Sequence, residues 1–159
     1  MRTILFLAAT VLFSFTSLQV DAAATSVPSV SAKTSTLKAD LGVLLDGVHE
    51  IAAPGAPGTL CVFGDAAFPV VAGSTGRESL GAVVGAARFG NGRVVAFSHD
   101  GYLGVNALGE ADTGTLMANA VRWAAAGRAL APGTKLHVGL YRKKGLVEFF
   151  DKRGFKAAD

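Results

Sequence analysis

The sequence predicts an α/β fold, and three observations carry that reading. The first is Leu80–Leu103, where two apolar runs, Ala82–Ala87 and Val94–Phe97, flank Gly90-Asn91-Gly92. Glycine and asparagine tolerate positive φ, which tight hairpin turns need, so the runs read as two strands of one hairpin. The second is the stripe Leu116, Ala120, Trp123 and Gly127, with Met117, Val121 and Ala124 beside it. Apolar residues three and four apart predict a helix lying flat on a sheet. The third is the order of the tail: helix, then the strand Lys135–Tyr141, then a helix over Leu146–Arg153. Alternating β and α elements call for parallel strands joined by right-handed crossovers.

The elements follow in order. Ser35 or Thr36 caps a helix running to about Asp46, with Leu37, Leu41, Leu44, Leu45 and Val48 on one face and Gly47 ending it. The stretch 51–58 is a proline- and glycine-rich loop. Thr59–Phe63 reads as a strand and Gly64-Asp65 as a turn. Phe68–Ala72 reads as an edge strand, because Pro69 cannot donate to a central ladder. Gly73–Arg77 is a loop, and the hairpin follows with Val84, Val94 and Phe97 expected to be buried. Tyr102–Ala111 reads as irregular. Asp112 or Thr113 caps the striped helix, Gly114–Ala126. The last helix has Gly154 as its left-handed C′ residue and Phe155 as the apolar partner behind it. The chain reaches Asp159 where the next strand would begin, so the reading is of a domain truncated at its C-terminal side, or of one whose sheet is finished by other means.

Composition bounds the function. The chain has 159 residues, a formal charge of +3 and one cysteine. Met1-Arg2 starts it with positive charge, Ile4–Val20 is mostly apolar, and small residues surround Ala22. That is the pattern of a secretory signal peptide over 1–22, too short an apolar run for a stable membrane span. Cleavage removes one arginine and one aspartate and leaves the charge unchanged. Residues 23–35 are small and polar and read as a flexible linker, leaving 36–159 as the domain. So mild an excess of positive charge does not argue for nucleic acid. The basic groups Arg142-Lys143-Lys144 and Lys152–Lys156 read as solvated helix faces, with an acidic partner as the alternative. One cysteine forms no internal disulfide, and Cys61, within an apolar run, is expected to be buried and inert.

The chemical motifs are sparse. His49-Glu50 opens like a zinc helix, but the residue one turn on is Ala53, so the paired-histidine grip is absent. The glycine-rich turns match no phosphate loop, and Cys61 occupies no nucleophile elbow. No metal or other cofactor is expected. The best candidate is Ser98-His99-Asp100-Gly101-Tyr102, a polar cluster beyond the carboxyl end of a strand, where open α/β sheets place ligands. Adjacent strand residues point to opposite faces, so Ser98, His99 and Asp100 form no relay among themselves. The expectation is that His99, Asp100 and Tyr102 line a pocket that binds rather than cuts, with Ser98 turned away. The alternative is a small hydrolase using His99 and Asp100. A plainer reading of the cluster is a capped strand end with a satisfied histidine.

Phe89-Gly90-Asn91-Gly92-Arg93-Val94-Val95 together with Ser98-His99-Asp100-Gly101-Tyr102-Leu103 resembles the N-terminal region of the TRP-channel-associated factor family. That family is in turn related to enhancin-like, mucin-targeting zinc metallopeptidases. Gly64–Val70 and Asn119-Ala120-Val121-Arg122-Trp123 support the resemblance, which covers about Leu41 to Phe155. It implies a class I glutamine-amidotransferase-like domain, a Rossmann-like three-layer sandwich without the amidotransferase cysteine, acting as an accessory module. The family's zinc-bearing peptidase domain would lie further on, so peptidase activity is not carried over to these residues. The alternative is that the chain is the N-terminal fragment of such a secreted peptidase. The signal peptide departs from the cytosolic vertebrate members and favours an extracellular, glycan-facing role. The partners implied are a glycoprotein or glycan, or a following peptidase domain.

Export gives the first test. N-terminal sequencing of the exported protein is expected to start near Ala23; recovery of intact Met1 from a cytosolic fraction would contradict it.

Overall fold

The computed structural model describes residues 30–56, 58–74, 79–125 and 135–159. The expected signal peptide, linker residues 23–29, part of the 73–77 loop and Gly127 lie outside these. Helix α1, Val30–Leu44, starts upstream of Ser35, so residues 30–35, read as linker, are helical. Three antiparallel strands follow in spatial order β1-β2-β3: β1 Ala67–Ser74, β2 Leu80–Phe89 and β3 Gly92–Phe97. The stretch 100–111, read as irregular, holds a 3-10 turn at Asp100–Leu103 and a short helix α2, Val105–Leu108. Then come α3, Thr113–Ala125, and a parallel pair, β4 His137–Gly139 and β5 Lys156–Ala158. Between β4 and β5 lie a 3-10 turn and α4, Val147–Asp151. The architecture is mixed α/β, with the described strands in two sheets.

The hairpin forms as its turn chemistry dictates. Phe89 pairs with Gly92, leaving Gly90-Asn91 as a two-residue loop, with Gly90 at φ +55°. Pro69 sits on β1, an edge strand, beside a register shift between Pro69 and Val71. The expected strand Thr59–Phe63 is reduced to one bridge, Leu60 with Ala82, beyond the end of β3. Leu60 and Val62 lie over Gly85, and alternation turns Cys61 and Phe63 outward. Cys61 is therefore exposed, not buried. Val94 is likewise exposed, because helices cover one face of β3 and Val94 lies on the other. Val84 is fully buried and Phe97 is half-buried.

Two apolar clusters share α3. Leu116, Ala120 and Trp123 pack with Leu44 of α1 and with Phe68, Val70, Val84 and Ala86 of the sheet. Met117 and Ala118, on the adjoining side, pack with Leu108, Leu146, Phe150 and Phe155. Phe155 donates its N–H to Phe150 O at 3.1 Å, and Gly154 donates to Asp151 O at 3.1 Å, with Gly154 at φ +82°. That is a Schellman cap, closed by the edge-on contact of Phe155 with Phe150, as the sequence predicts. The strand expected beyond the chain's end is β5 itself, paired parallel with β4.

The start of α3 also fastens α1. The Asp112 carboxylate accepts the N–H groups of His49 and Glu50 at 2.8 and 3.3 Å. Buried Thr113 accepts the N–H of Ala52 at 2.7 Å through its hydroxyl. Asn119 donates to the carbonyls of Leu44 and Asp46 at 3.3 and 2.8 Å, groups that a helix end leaves open.

Among the described residues one charged group is buried. Asp40 on α1 is 4 % exposed. The Arg88 guanidinium grips its carboxylate with two bonds, 2.7 and 2.6 Å, and the Trp123 indole N–H donates to it at 2.9 Å. Arg93 donates to the Trp123 carbonyl at 2.7 Å and lies 5.1 Å from the ring centroid, with Arg88 at 5.9 Å. Burial pushes the Asp40 carboxyl up, but the bonds from Arg88 and Trp123 and the charges of Arg88 and Arg93 outweigh it. The net direction is below the ordinary carboxylate value.

Replacing Asp40 by Ala leaves the Trp123 N–H without an acceptor, while Arg88, itself 38 % exposed, turns to water. The expected cost is about 2–3 kcal/mol in urea unfolding, below that of a fully buried pair. Because the folded-state pKa is depressed, this contribution is fully present above about pH 4 and is lost as the pH falls through the folded value. Asp40→Asn should therefore lose less stability than the parent between pH 6 and pH 2.

Candidate functional site

The hairpin carries β3 from Gly92 to Phe97 and ends in Ser98-His99. Ser98 donates its N–H to Val83 O at 2.9 Å, the last ladder bond. His99 is still extended, at φ −145° and ψ 138°, and the chain then turns into the 3-10 segment. The His99 Nδ1 accepts the N–H of Gly101 at 2.9 Å and so caps that turn. An Nδ1 that accepts places the proton of the neutral ring on Nε2. A Cβ on residue 101 would lie 2.6 Å from Nδ1, so glycine is what lets the ring close over the turn.

The ring's other neighbours come from a loop that the sequence reading left without a role. Gly55 lies against Cε1 and Nε2 of His99, and Pro54 against Gly101. The signal was present in the sequence as a Pro/Gly stretch, but nothing local tied it to His99, more than 40 residues on. Asp100 is an exposed carboxylate with Oδ1 3.7 Å from His99 Nδ1 and Oδ2 3.8 Å from Lys143 Nζ. Tyr102 is 2 % exposed, packs on Phe97 at 5.8 Å between ring centroids, and has its hydroxyl pKa raised by burial.

A groove of about 430 Å³ runs between β3 and α3. His99 and Asp100 stand at one end; Val95, Phe97, Leu103, Met117 and Val121 give it apolar walls. The structure thus brings His99 and Asp100 together on a groove and sends Tyr102 into the core behind it. The Ser98 hydroxyl oxygen is buried and has no hydrogen-bond partner among the described residues, so it is not paired with His99. Among the described residues no three His, Cys, Asp or Glu side chains gather as metal ligands. What the arrangement offers is an apolar trough with one imidazole and one carboxylate at its mouth.

Removing the cap tests the local role of His99. His99→Ala strands the Gly101 N–H and is expected to cost about 0.5–1.5 kcal/mol. His99→Asn, which keeps an acceptor, should recover part of it. Equal stability of all three proteins in thermal melts would show that the cap does not hold the turn.

Among curated relatives, TRPM8 channel-associated factor 2 of Bos taurus is 39% identical over 94 residues, 58% of this chain and 9% of that protein. A TRPM8 channel-associated factor homolog of Danio rerio is 34% identical over 93 residues, 57% of this chain and 9% of its own. The homolog of Xenopus laevis is 32% identical over 91 residues, 57% of this chain and 8% of its own. The matched stretch is thus about a tenth of these relatives' length. No solved structure matches. Residues 8–157 match the family model described as "TRPM8, N-terminal domain", which spans nearly the whole sequence, and the chain belongs to that family.

Proposed function

We propose that this chain is a non-catalytic binding domain of a secreted protein related to TRP-channel-associated factors and to enhancin-like metallopeptidases. The observation that supports this most is the state of His99. Its Nδ1 is occupied by the Gly101 N–H, which leaves the proton on Nε2, so neither nitrogen is poised to take a proton from a nucleophile. The nearest serine in sequence, Ser98, makes no bond to the ring, and the exposed Cys61 lies on another segment. The finer fold reading belongs to the same proposal. The two sheets would be parts of one class I glutamine-amidotransferase-like sandwich, a reading supported by the parallel β4-α4-β5 unit and by helix α3 serving both cores.

The partner proposed is a glycoprotein or glycan outside the cell, or a following peptidase domain. The relatives' names favour a second reading, association with a TRPM8 channel. The test uses the exported chain, starting near Ala23, on a sensor surface, with a mucin-type glycoprotein, the same glycoprotein after enzymatic deglycosylation, and the detergent-solubilised channel. Binding that deglycosylation abolishes, with the glycoprotein intact on a gel after prolonged incubation, is expected. Cleavage that His99→Ala abolishes would replace this reading with the hydrolase. Retention on the channel alone would replace the glycan partner with the channel.

A further inference from the structure

The bond that closes the turn after β3 depends on the charge of one ring. His99 Nδ1 accepts the Gly101 N–H at 2.9 Å, and only a neutral imidazole has a nitrogen free to accept. Protonation puts a hydrogen on both ring nitrogens. Nδ1 then becomes a donor facing the Gly101 donor, and no rotation of the ring restores an acceptor. Histidine is the side chain whose ordinary charge change falls between about pH 5 and about pH 8, so a modest fall in pH removes this bond.

The surroundings give the charged ring another partner. Asp100 Oδ1 lies 3.7 Å from His99 Nδ1, within reach of a small side-chain movement. Oδ2 of the same carboxylate lies 3.8 Å from Lys143 Nζ, and Lys143 precedes the 3-10 turn Lys144–Leu146 instead of lying on the helix face that the sequence suggests. Among the described residues the other elements packed around His99 bring no competing charge. The loop meets the ring with Gly55, and the groove face of α3 offers Met117, Ala120, Val121 and Ala124. Arg93, the charge on β3, is bound to the Trp123 carbonyl.

The turn Asp100–Leu103 has few other bonds. Tyr102 donates its N–H to His99 O at 3.4 Å, and Gly104 donates to Gly101 O at 2.9 Å. A 3-10 segment this short has poor hydrogen-bond geometry and little to replace a lost cap. Leu103, at its end, is a wall of the His99 groove.

We propose that His99 is a pH-operated latch on this groove. Neutral, it holds the turn closed through Gly101; protonated, it releases Gly101, turns to Asp100 and loosens the Leu103 wall. A partner held in the groove at neutral pH is then let go as the medium turns acid. This use of the latch rests on the binding reading above, but the latch itself is measured on the free protein.

The test follows amide shifts and hydrogen exchange in the ¹⁵N-labelled exported chain, starting near Ala23, from about pH 8 to about pH 5. Exchange rates are corrected for their intrinsic pH dependence. The Gly101 and Gly104 amides are expected to shift together with the His99 ring, and their protection to fall at least threefold. The Leu116 amide, bonded to Asp112 O at 2.9 Å on α3, should keep its protection. His99→Asn keeps an acceptor that does not titrate and should give a flat profile. Asp100→Asn removes the carboxylate that receives the charged ring and should move the transition to lower pH. Unchanged Gly101 protection while the ring titrates, or the same loss in His99→Asn, would overturn the latch. A latch transition in a chain that binds no glycoprotein at any pH would support the latch and overturn the binding reading alone.

Discussion

Two arginines face each other across the central hairpin, and the rest of the first core is arranged around that fact. Arg88 of β2 pairs with Arg93 of β3, on the inward row that also carries Ala86 and Val95. Like charges directly opposite are destabilising. The structure resolves the conflict by inserting Trp123 between the sheet and α3, so that both guanidinium groups lie against the ring, and by bringing Asp40 from α1 to Arg88. One carboxylate then organises three elements: a helix, a hairpin and a second helix. Its burial is tolerable because its oxygens accept three directional bonds, two from Arg88 and one from Trp123. An apolar residue in its place would pack but would leave Arg88 beside Arg93 with no counter-charge.

The parts of the fold legible in the sequence are those decided by neighbours in the chain. The Gly90-Asn91 turn, the stripe on α3, the edge position of Pro69 and the Gly154-Phe155 cap all follow from local geometry. What the sequence hid was decided at a distance. Asp40 lies between Ala39 and Leu41 on a helix whose leucines suggest a plain apolar face, and its partner is 48 residues on. Leu37, counted on that face, is 36 % exposed, while Asp40 points inward. Val94 and Cys61 misled for one reason. A short apolar run is the same in a strand buried on both faces and in one covered on a single face, and only the three-dimensional stacking separates the two.

The candidate site was legible as a place but not as an arrangement. The cluster beyond β3 does sit on a groove, and its plainer reading, a histidine capping the strand end, is what the Gly101 bond describes. The loop at Pro54 and Gly55, and Lys143 opposite Asp100, come from segments that no spacing rule connects to His99. Tyr102 shows the limit of placing side chains by sequence proximity. Two positions after Asp100, the 3-10 turn rotates it from the groove mouth into the interior.

The stitches between α1 and α3 bear on how the molecule comes apart. Asp112 and Thr113 hold the strap that follows α1, and Asn119 closes the carbonyls at its end. Detaching α1 would therefore open donors and acceptors on α3 as well as its own. The two helices are therefore expected to open together, with amide protons at His49 and Ala52, on a stretch with little regular structure, protected through their bonds to Asp112 and Thr113. A segment that looks like a loose connection is by this means tied to the helix that grips it.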